Sequence, residues 1–192
     1  NPCGVSARND HLESYKSALS CDPISAFGGI VSCNFRIKRD LAVELNKLFL
    51  EVIIANGFDS NAIKILNAKK NLRLIDGTNY TSEELFKFVS FNQNIIIQSE
   101  DLNIFAKKNF KVVSKRKPTS KQLKDLIFAF NVCRYVKSNA IVLASNETTS
   151  GIGSGQPSRL DSCKIAVSKM KKFNLDSDNL VAASDAFFPF VD

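Results

Sequence analysis

The sequence of 192 residues contains no tryptophan, one methionine and one histidine, His11. Its five cysteines are odd in number and none are spaced as C-x-x-C, which favours neither a disulfide framework nor a zinc site. We therefore expect buried thiols and no metal. No apolar run approaches the ~20 residues that a membrane helix requires. The first residues do not resemble a signal peptide, so we expect a cytoplasmic protein.

Acidic residues are fewer than basic ones, 19 against 26, which gives a net charge of +7. This excess is compatible with an anionic ligand, but the basic residues are scattered, and the densest run is 115–117. A solvated basic surface is favoured over nucleic-acid binding, because such binding needs exposed aromatic residues among the basic ones. The phenylalanines instead have core-like spacings. We expect neither nucleic acid nor membrane as a partner.

Helical and strand patterns alternate along the chain. This alternation with short connections predicts an α/β fold, a layered sheet flanked by helices. Pro118 interrupts the pattern, so we predict one unit over 1–117 and a second over 118–192. The predicted helices cover residues 10–19, 40–49, 60–69, 119–137 and 158–172, and the predicted strands cover 27–31, 52–55, 72–75, 94–98, 111–114 and 140–144.

Three alternating glycines occur in GIGSGQPSR, residues 151–159, between a predicted strand and a predicted helix. The pattern predicts a turn whose main-chain N–H groups approach an anion at a helix N-terminus, with Arg159 adding a full charge. The spacing differs from the dinucleotide fingerprint, and a Walker lysine is absent. The competing interpretation is a tight strand-to-helix connection without a ligand.

This segment is one of a series of motifs that follow each other along the chain. They are NPCG (1–4), DPISAFGG (22–29), EVIIA (51–55), KRKPT (115–119), VKSNAIVLA (136–144), GIGSGQPSR (151–159) and SDAFFPF (184–190). Together they resemble the AICAR transformylase region of the bifunctional purine biosynthesis protein, which combines phosphoribosylaminoimidazolecarboxamide formyltransferase and IMP cyclohydrolase. AICAR is 5-aminoimidazole-4-carboxamide ribotide. The resemblance spans essentially the whole chain.

The resemblance implies formyl transfer from the co-substrate 10-formyltetrahydrofolate to the exocyclic amine of AICAR. That amine is a poor nucleophile, so the reaction needs a general base, donors for the oxyanion and an acid for the departing folate nitrogen. In the family a Lys-His pair in K-H-x-N-P-C-G serves these needs, and both residues would precede Asn1. We therefore expect a fragment, truncated at both ends and inactive alone. The alternative is a noncatalytic α/β module that retains AICAR or folate affinity.

The resemblance also implies roles for individual residues. The residues expected at AICAR are Gly28, Glu51, Asn139, Arg159 and Phe187, and Asn139 would support catalysis near the reacting amine. Leu160 and Asp192 correspond to folate contacts. The family often has other residues at Pro157 and Val191, which leaves the loop conformation open.

Ordinary structural roles remain open for the same residues. Gly28 and Glu51 suit the start of a strand, Asn139 suits a turn, and Phe187 suits a core. Arg159 suits the exposed first turn of a helix. His11 lies outside every motif, and an ordinary boundary histidine is favoured over a catalytic base.

The fold implied by the resemblance consists of two cytidine-deaminase-like three-layer α/β subdomains. A shared fold does not imply a shared reaction, and the P-C-x-x-C signature of the zinc deaminases is absent. The family also implies a homodimer with active sites at the subunit interface.

Overall fold

The fold alternates helices and strands over most of its length. The computed structural model describes residues 1–81, 86–175 and 178–188. The elements are α1 (His11–Cys21), β1 (Gly29–Cys33), α2 (Arg39–Leu45), β2 (Leu50–Ala55), α3 (Ser60–Leu66), β3 (Arg73–Asp76), β4 (Phe86–Phe91), β5 (Asn94–Ser99), a 3-10 turn (Lys107–Asn109), α4 (Ser120–Cys133), β6 (Ile141–Ser145), β7 (Thr148–Gly153), α5 (Arg159–Lys172) and β8 (Val181–Ser184). From α1 to β3 every predicted element is confirmed, with ends that differ by a few residues.

The first sheet is parallel and has the strand order β1-β2-β3. Helices α2 and α3 connect its strands, as the alternation predicts. Its core is built from branched apolar side chains, and Leu41, Leu45, Ile53 and Leu66 are all buried. Because Gly29 pairs with the first residue of β2, the starts of β1 and β2 lie side by side.

Strands β4 and β5 form a hairpin that the sequence predicts only in part. The predicted strand over 94–98 is confirmed by β5, whereas its antiparallel partner β4 is not predicted. The predicted strand over 111–114 is wrong, because this segment forms no strand and lies in a groove beside α4 and β8. An extended segment becomes a strand only where a neighbouring backbone pairs with it.

The second sheet is antiparallel and has the order β7-β6-β8. The turn between β6 and β7 consists of Asn146 and Glu147, with φ of 53° and 51°. Two residues in this left-handed region match the twist of a tight hairpin. The buried carboxylate of Asp125 in α4 accepts hydrogen bonds from both amides, at 3.1 and 2.7 Å, and thereby fixes the turn to the helix.

Of the three alternating glycines only Gly155, with φ +66°, lies in the connection before α5. Gly151 and Gly153 belong to β7, and the connection to α5 spans 154–158. A Cβ at Gly153 would lie 1.8 Å from the Ser162 carbonyl oxygen, and one at Gly151 would lie 2.2 Å from that of Ala166. These glycines therefore permit α5 to pack directly on β7. The prediction that they expose their amides to an anion is wrong.

Helix ends follow local capping chemistry. The predicted capping box of α4 is confirmed, since the Gln122 amide donates to Thr119 Oγ1 at 3.2 Å and the Thr119 amide donates to Gln122 Oε1 at 3.0 Å. The helix ends at Cys133, before the predicted end at 137. At α5, the hydroxyl of Ser158 accepts a hydrogen bond from the Asp161 amide at 3.4 Å. The start of α5 is therefore defined by an N-cap serine.

The first residues of the chain lie against the second sheet. The Val5 amide donates to Thr149 Oγ1 at 2.9 Å, and Lys169 Nζ of α5 lies 2.7 Å from Asp22 Oδ2. A cavity of about 710 Å³ separates this N-terminal segment from β1. The predicted boundary near Pro118 is not tested by these contacts and stays a prediction.

Parallel and antiparallel sheets occur together with helices, which confirms the predicted α/β class in its coarse form. The finer prediction of two cytidine-deaminase-like three-layer subdomains is not confirmed and stays a prediction. Within the described parts of the chain, no helix has the length and apolar character needed to cross a bilayer.

Candidate functional site

The segment that leads into β6 meets the N-terminus of α5 at one edge of the second sheet. Asn139 donates through Nδ2 to the main-chain carbonyl groups of Gln156 and Pro157, at 2.8 and 2.9 Å. The carbonyl group of Asn139 accepts a hydrogen bond from Ser162 Oγ at 2.7 Å. One amide residue therefore ties the 154–158 connection and the first turns of α5 to the start of β6.

The guanidinium of Arg159 is held by three side chains. Nη2 donates to Asn139 Oδ1 at 2.8 Å, and Nη1 donates to Ser184 Oγ at 2.8 Å and to the Asp185 carboxylate. The ring of Phe188 lies over the guanidinium, 6.0 Å from its carbon. The structure thus brings together the predicted residues Asn139 and Arg159. We call Asn139, Arg159, Ser184 and Asp185 the Arg159 cluster.

Asp185 is a functional candidate that the sequence analysis does not identify. Its carboxylate accepts hydrogen bonds from the Ser138 hydroxyl, the Ala140 amide and Arg159. Burial alone raises the pKa of this carboxyl, but the hydrogen bonds and the charge of Arg159 outweigh burial and lower the pKa to about 2. The charge of Arg159 is therefore compensated inside the protein. A carboxylate directly after an apolar strand is the one sequence signal for it.

The stabilising effect of the ionised Asp185 is expected to depend on pH. Its folded-state pKa of about 2 lies below the ordinary value of 3.8, so the stabilisation is complete above the ordinary value and is lost as the pH falls through about 2. We expect Asp185→Asn to be less stable than the unmodified chain by about 1 kcal/mol at neutral pH, after allowance for solvent screening. Urea denaturation over a pH series measures this difference. If the difference in the free energy of unfolding between the two chains does not narrow as the pH falls, the prediction is contradicted.

Gly28 and Glu51 lie close together at the starts of β1 and β2. Gly28 has φ +69°, which favours glycine, and its amide donates to the Phe49 carbonyl oxygen at 2.9 Å. The rings of Phe27 and Phe49 lie 5.2 Å apart and both are exposed. Within the described residues, no hydrogen bond, ion pair or ring contact joins this pair of strand starts to the Arg159 cluster.

The other predicted site residues have different locations. Phe187 is 79% exposed, so it does not belong to the core of this chain, and the ring over Arg159 is that of its neighbour Phe188. Leu160 lies in the first turn of α5 and is half exposed. Asp192 lies outside the described residues. The roles of these residues at AICAR and folate stay predictions.

His11 belongs to neither group. It is the first residue of α1, and its ring is stacked on that of Phe35, with the ring centroids 3.7 Å apart and the planes inclined by 8°. This position accords with an ordinary boundary histidine.

Most of the cysteines are buried or half-buried thiols, as expected. Cys21, Cys33 and Cys133 are buried, and burial raises the pKa of each thiol to about 11. They are therefore protonated at neutral pH. Of the residues that the structure describes, no three His, Cys, Asp or Glu side chains are grouped so that they could hold a metal ion.

Comparison with known proteins identifies the family. The model of the AICARFT/IMPCHase bienzyme family matches residues 1–169. The chain therefore belongs to this family, which confirms the resemblance that the motifs indicate.

Several curated relatives are named bifunctional purine biosynthesis protein PurH. The chain is 45% identical over 194 residues to that of Persephonella marina, 43% over 192 residues to that of Aquifex aeolicus, and 47% over 195 residues to that of Buchnera aphidicola subsp. Schizaphis graminum. Each comparison covers 100% of this chain and 37% of the relative. The chain thus spans little more than a third of the length of these relatives.

Proposed function

We propose that this chain forms part of an AICAR transformylase, which acts in de novo purine biosynthesis. The product is 5-formamidoimidazole-4-carboxamide ribotide. Membership of the family supports the reaction class. The observation that carries the proposal is the hydrogen bond of 2.8 Å between Arg159 and Asn139. These two residues come from separate motifs, and both are expected at AICAR.

The reaction forms a bond between the formyl carbon and the exocyclic nitrogen of AICAR and breaks the bond from that carbon to N10 of the folate. The amine loses a proton and N10 gains one. The amine must therefore be held in position while its proton is removed. In this proposal Arg159 and Asn139 bind and orient the imidazole carboxamide. The N-terminus of α5 adds partial positive charge beside them.

The remaining predicted residues flank that position. Gly28 leaves space for a ligand beside exposed aromatic rings, and the exposed carboxylate of Glu51 accepts hydrogen bonds from the polar groups of the ribotide. Phe187 offers its ring face to a flat heterocycle. Leu160 and Asp192 contact the folate. The exposure of Glu51, Phe187 and Leu160 supports these assignments.

We further propose a cytoplasmic homodimer that acts on small molecules, with neither nucleic acid nor membrane as a partner. The starts of β1 and β2, which carry Gly28 and Glu51, are separate from the Arg159 cluster. A site completed by a second subunit is compatible with this separation. The finer fold of two cytidine-deaminase-like subdomains belongs to the same proposal.

The general base is not assigned to this chain. The sequence contains no Lys-His pair, and the single histidine is stacked on Phe35. We expect the 192-residue polypeptide to bind AICAR without transferring a formyl group. In isolation it then acts as the noncatalytic α/β module that keeps AICAR or folate affinity, and the connected Arg159 cluster supports that alternative.

Calorimetric titration combined with a formyl-transfer assay tests this proposal. We expect heat on addition of AICAR, a weaker response to 5-aminoimidazole ribotide, which lacks the carboxamide, and no turnover above the solvent background. A folate analogue is titrated in parallel. Turnover by the chain alone contradicts the expectation that it transfers no formyl group. A folded chain that binds neither AICAR nor the folate analogue contradicts the proposed site.

A further inference from the structure

The arginine expected to bind the ligand already faces a carboxylate of its own chain. Nη1 of Arg159 donates both to Asp185 and to Ser184, and Nη2 donates to Asn139. Only 12% of the Arg159 side chain and 21% of the Asp185 side chain are exposed, so water screens this ion pair weakly. The two charges therefore largely cancel, and a ligand beside the pair meets almost no net charge.

Arg159 nevertheless retains hydrogen-bond donors. Among the described residues, its Nε–H group and the second N–H of Nη2 have no acceptor. Phe188 covers one face of the guanidinium, and the remaining donors point outward in the guanidinium plane. A neutral carbonyl oxygen is satisfied by such donors alone, whereas an anion is bound more strongly by a guanidinium whose charge is not already compensated.

We infer that Asp185 determines specificity: by pairing with Arg159, it makes the site select a neutral carboxamide over the corresponding carboxylate. The identity of the ligand rests on the proposed function, whereas the compensation of the Arg159 charge by Asp185 does not. A ligand carboxylate on the free donors of Arg159 lies within a few ångströms of Asp185. Like charges at that separation repel strongly in a partly buried site.

The same carboxylate is a positioning residue for Asn139. It accepts a hydrogen bond from the Ala140 amide at 3.0 Å and another from the Ser138 hydroxyl. These two residues flank Asn139 in the sequence. Asp185 therefore anchors Arg159 directly and fixes the residues on either side of Asn139, whose own side chain is held by Arg159 and the 154–158 connection.

Titration with AICAR and with its 4-carboxylate analogue tests the selectivity. The unmodified chain is expected to bind AICAR at least about tenfold more tightly than the carboxylate. Asp185→Asn loses or inverts this preference, whereas Asp185→Glu, which keeps the charge, retains it. Asp178→Asn removes an exposed carboxylate and serves as the matched control. Equal affinities in the unmodified chain, or an unchanged preference in Asp185→Asn, overturn the inference.

A second measurement does not depend on the ribotide. Sulfate is titrated at constant ionic strength while the Nε–Hε resonance of Arg159 is followed by NMR. The unmodified chain is expected to show no saturable shift, and Asp185→Asn is expected to show one. A saturable shift in the unmodified chain, or none in the folded variant, overturns the inference.

The ribotide titration and the sulfate titration test the proposed function and the inference about Asp185 separately. If neither ribotide binds, the proposed function fails, and the sulfate titration still decides the inference. If Asp185→Asn does not fold, the unmodified chain decides alone: a saturable sulfate shift at Arg159 overturns the inference, and its absence supports it.

Discussion

Gly153→Ala is expected to lower the free energy of unfolding by about 3 kcal/mol. An added Cβ would lie 1.8 Å from the carbonyl oxygen of Ser162 and 2.6 Å from its carbonyl carbon. These are main-chain atoms of α5, so the overlap is relieved only by moving the helix away from β7. Ser162 also donates to the Asn139 carbonyl oxygen, and that movement therefore disturbs the Arg159 cluster as well. Urea denaturation monitored by circular dichroism measures the loss.

Gly155→Ala is the matched control for this prediction. Gly155 has φ +66°, and the nearest atom to an added Cβ is 4.0 Å away, on Lys137. Its replacement therefore costs only the backbone strain of a left-handed alanine, about 1 kcal/mol. If the free energy of unfolding falls by the same amount in both variants, close packing of α5 on β7 does not explain why position 153 is a glycine.

Arg159→Lys is expected to weaken AICAR binding by at least about tenfold. An ammonium group has no planar fork, so it cannot contact Asn139, Ser184 and Asp185 while it presents further donors to a ligand. The charge of the side chain is kept, so the loss measures geometry rather than charge. Calorimetric titration of the folded variant with AICAR gives the change.

Arg73→Lys makes the same chemical change at an exposed position in β3. We expect its affinity for AICAR to equal that of the unmodified chain. Retention of full affinity by Arg159→Lys would remove Arg159 from the binding site, whereas an equal loss in both variants would indicate a general effect of replacing arginine by lysine.

Features set by neighbouring residues are predicted well from the sequence. The start of α1 near Asp10 and the capping box of α4 depend on contacts three residues apart, such as the hydrogen bond of 2.9 Å from the Glu13 amide to Asp10 Oδ1. The alternation that predicts the first sheet is likewise local, because each apolar stripe belongs to one element. The motifs also single out Asn139 and Arg159, which the structure brings together, and their roles at AICAR stay predictions.

Features set by tertiary packing are not predicted. Gly151 and Gly153 are assigned to a turn because glycine is typical of turns, and only the approach of α5 to β7 reveals their role. Asp185 is missed because its partners Ser138 and Arg159 lie 47 and 26 residues away in the sequence. Neither separation leaves a pattern in a single sequence.

A crystal structure of the chain with bound AICAR tests the central claim most directly. We predict that the carboxamide lies within hydrogen-bond distance of the side chains of both Arg159 and Asn139, at the N-terminus of α5, with the Arg159–Asp185 pair intact. AICAR bound elsewhere, with both side chains in contact only with their protein partners, would contradict the account.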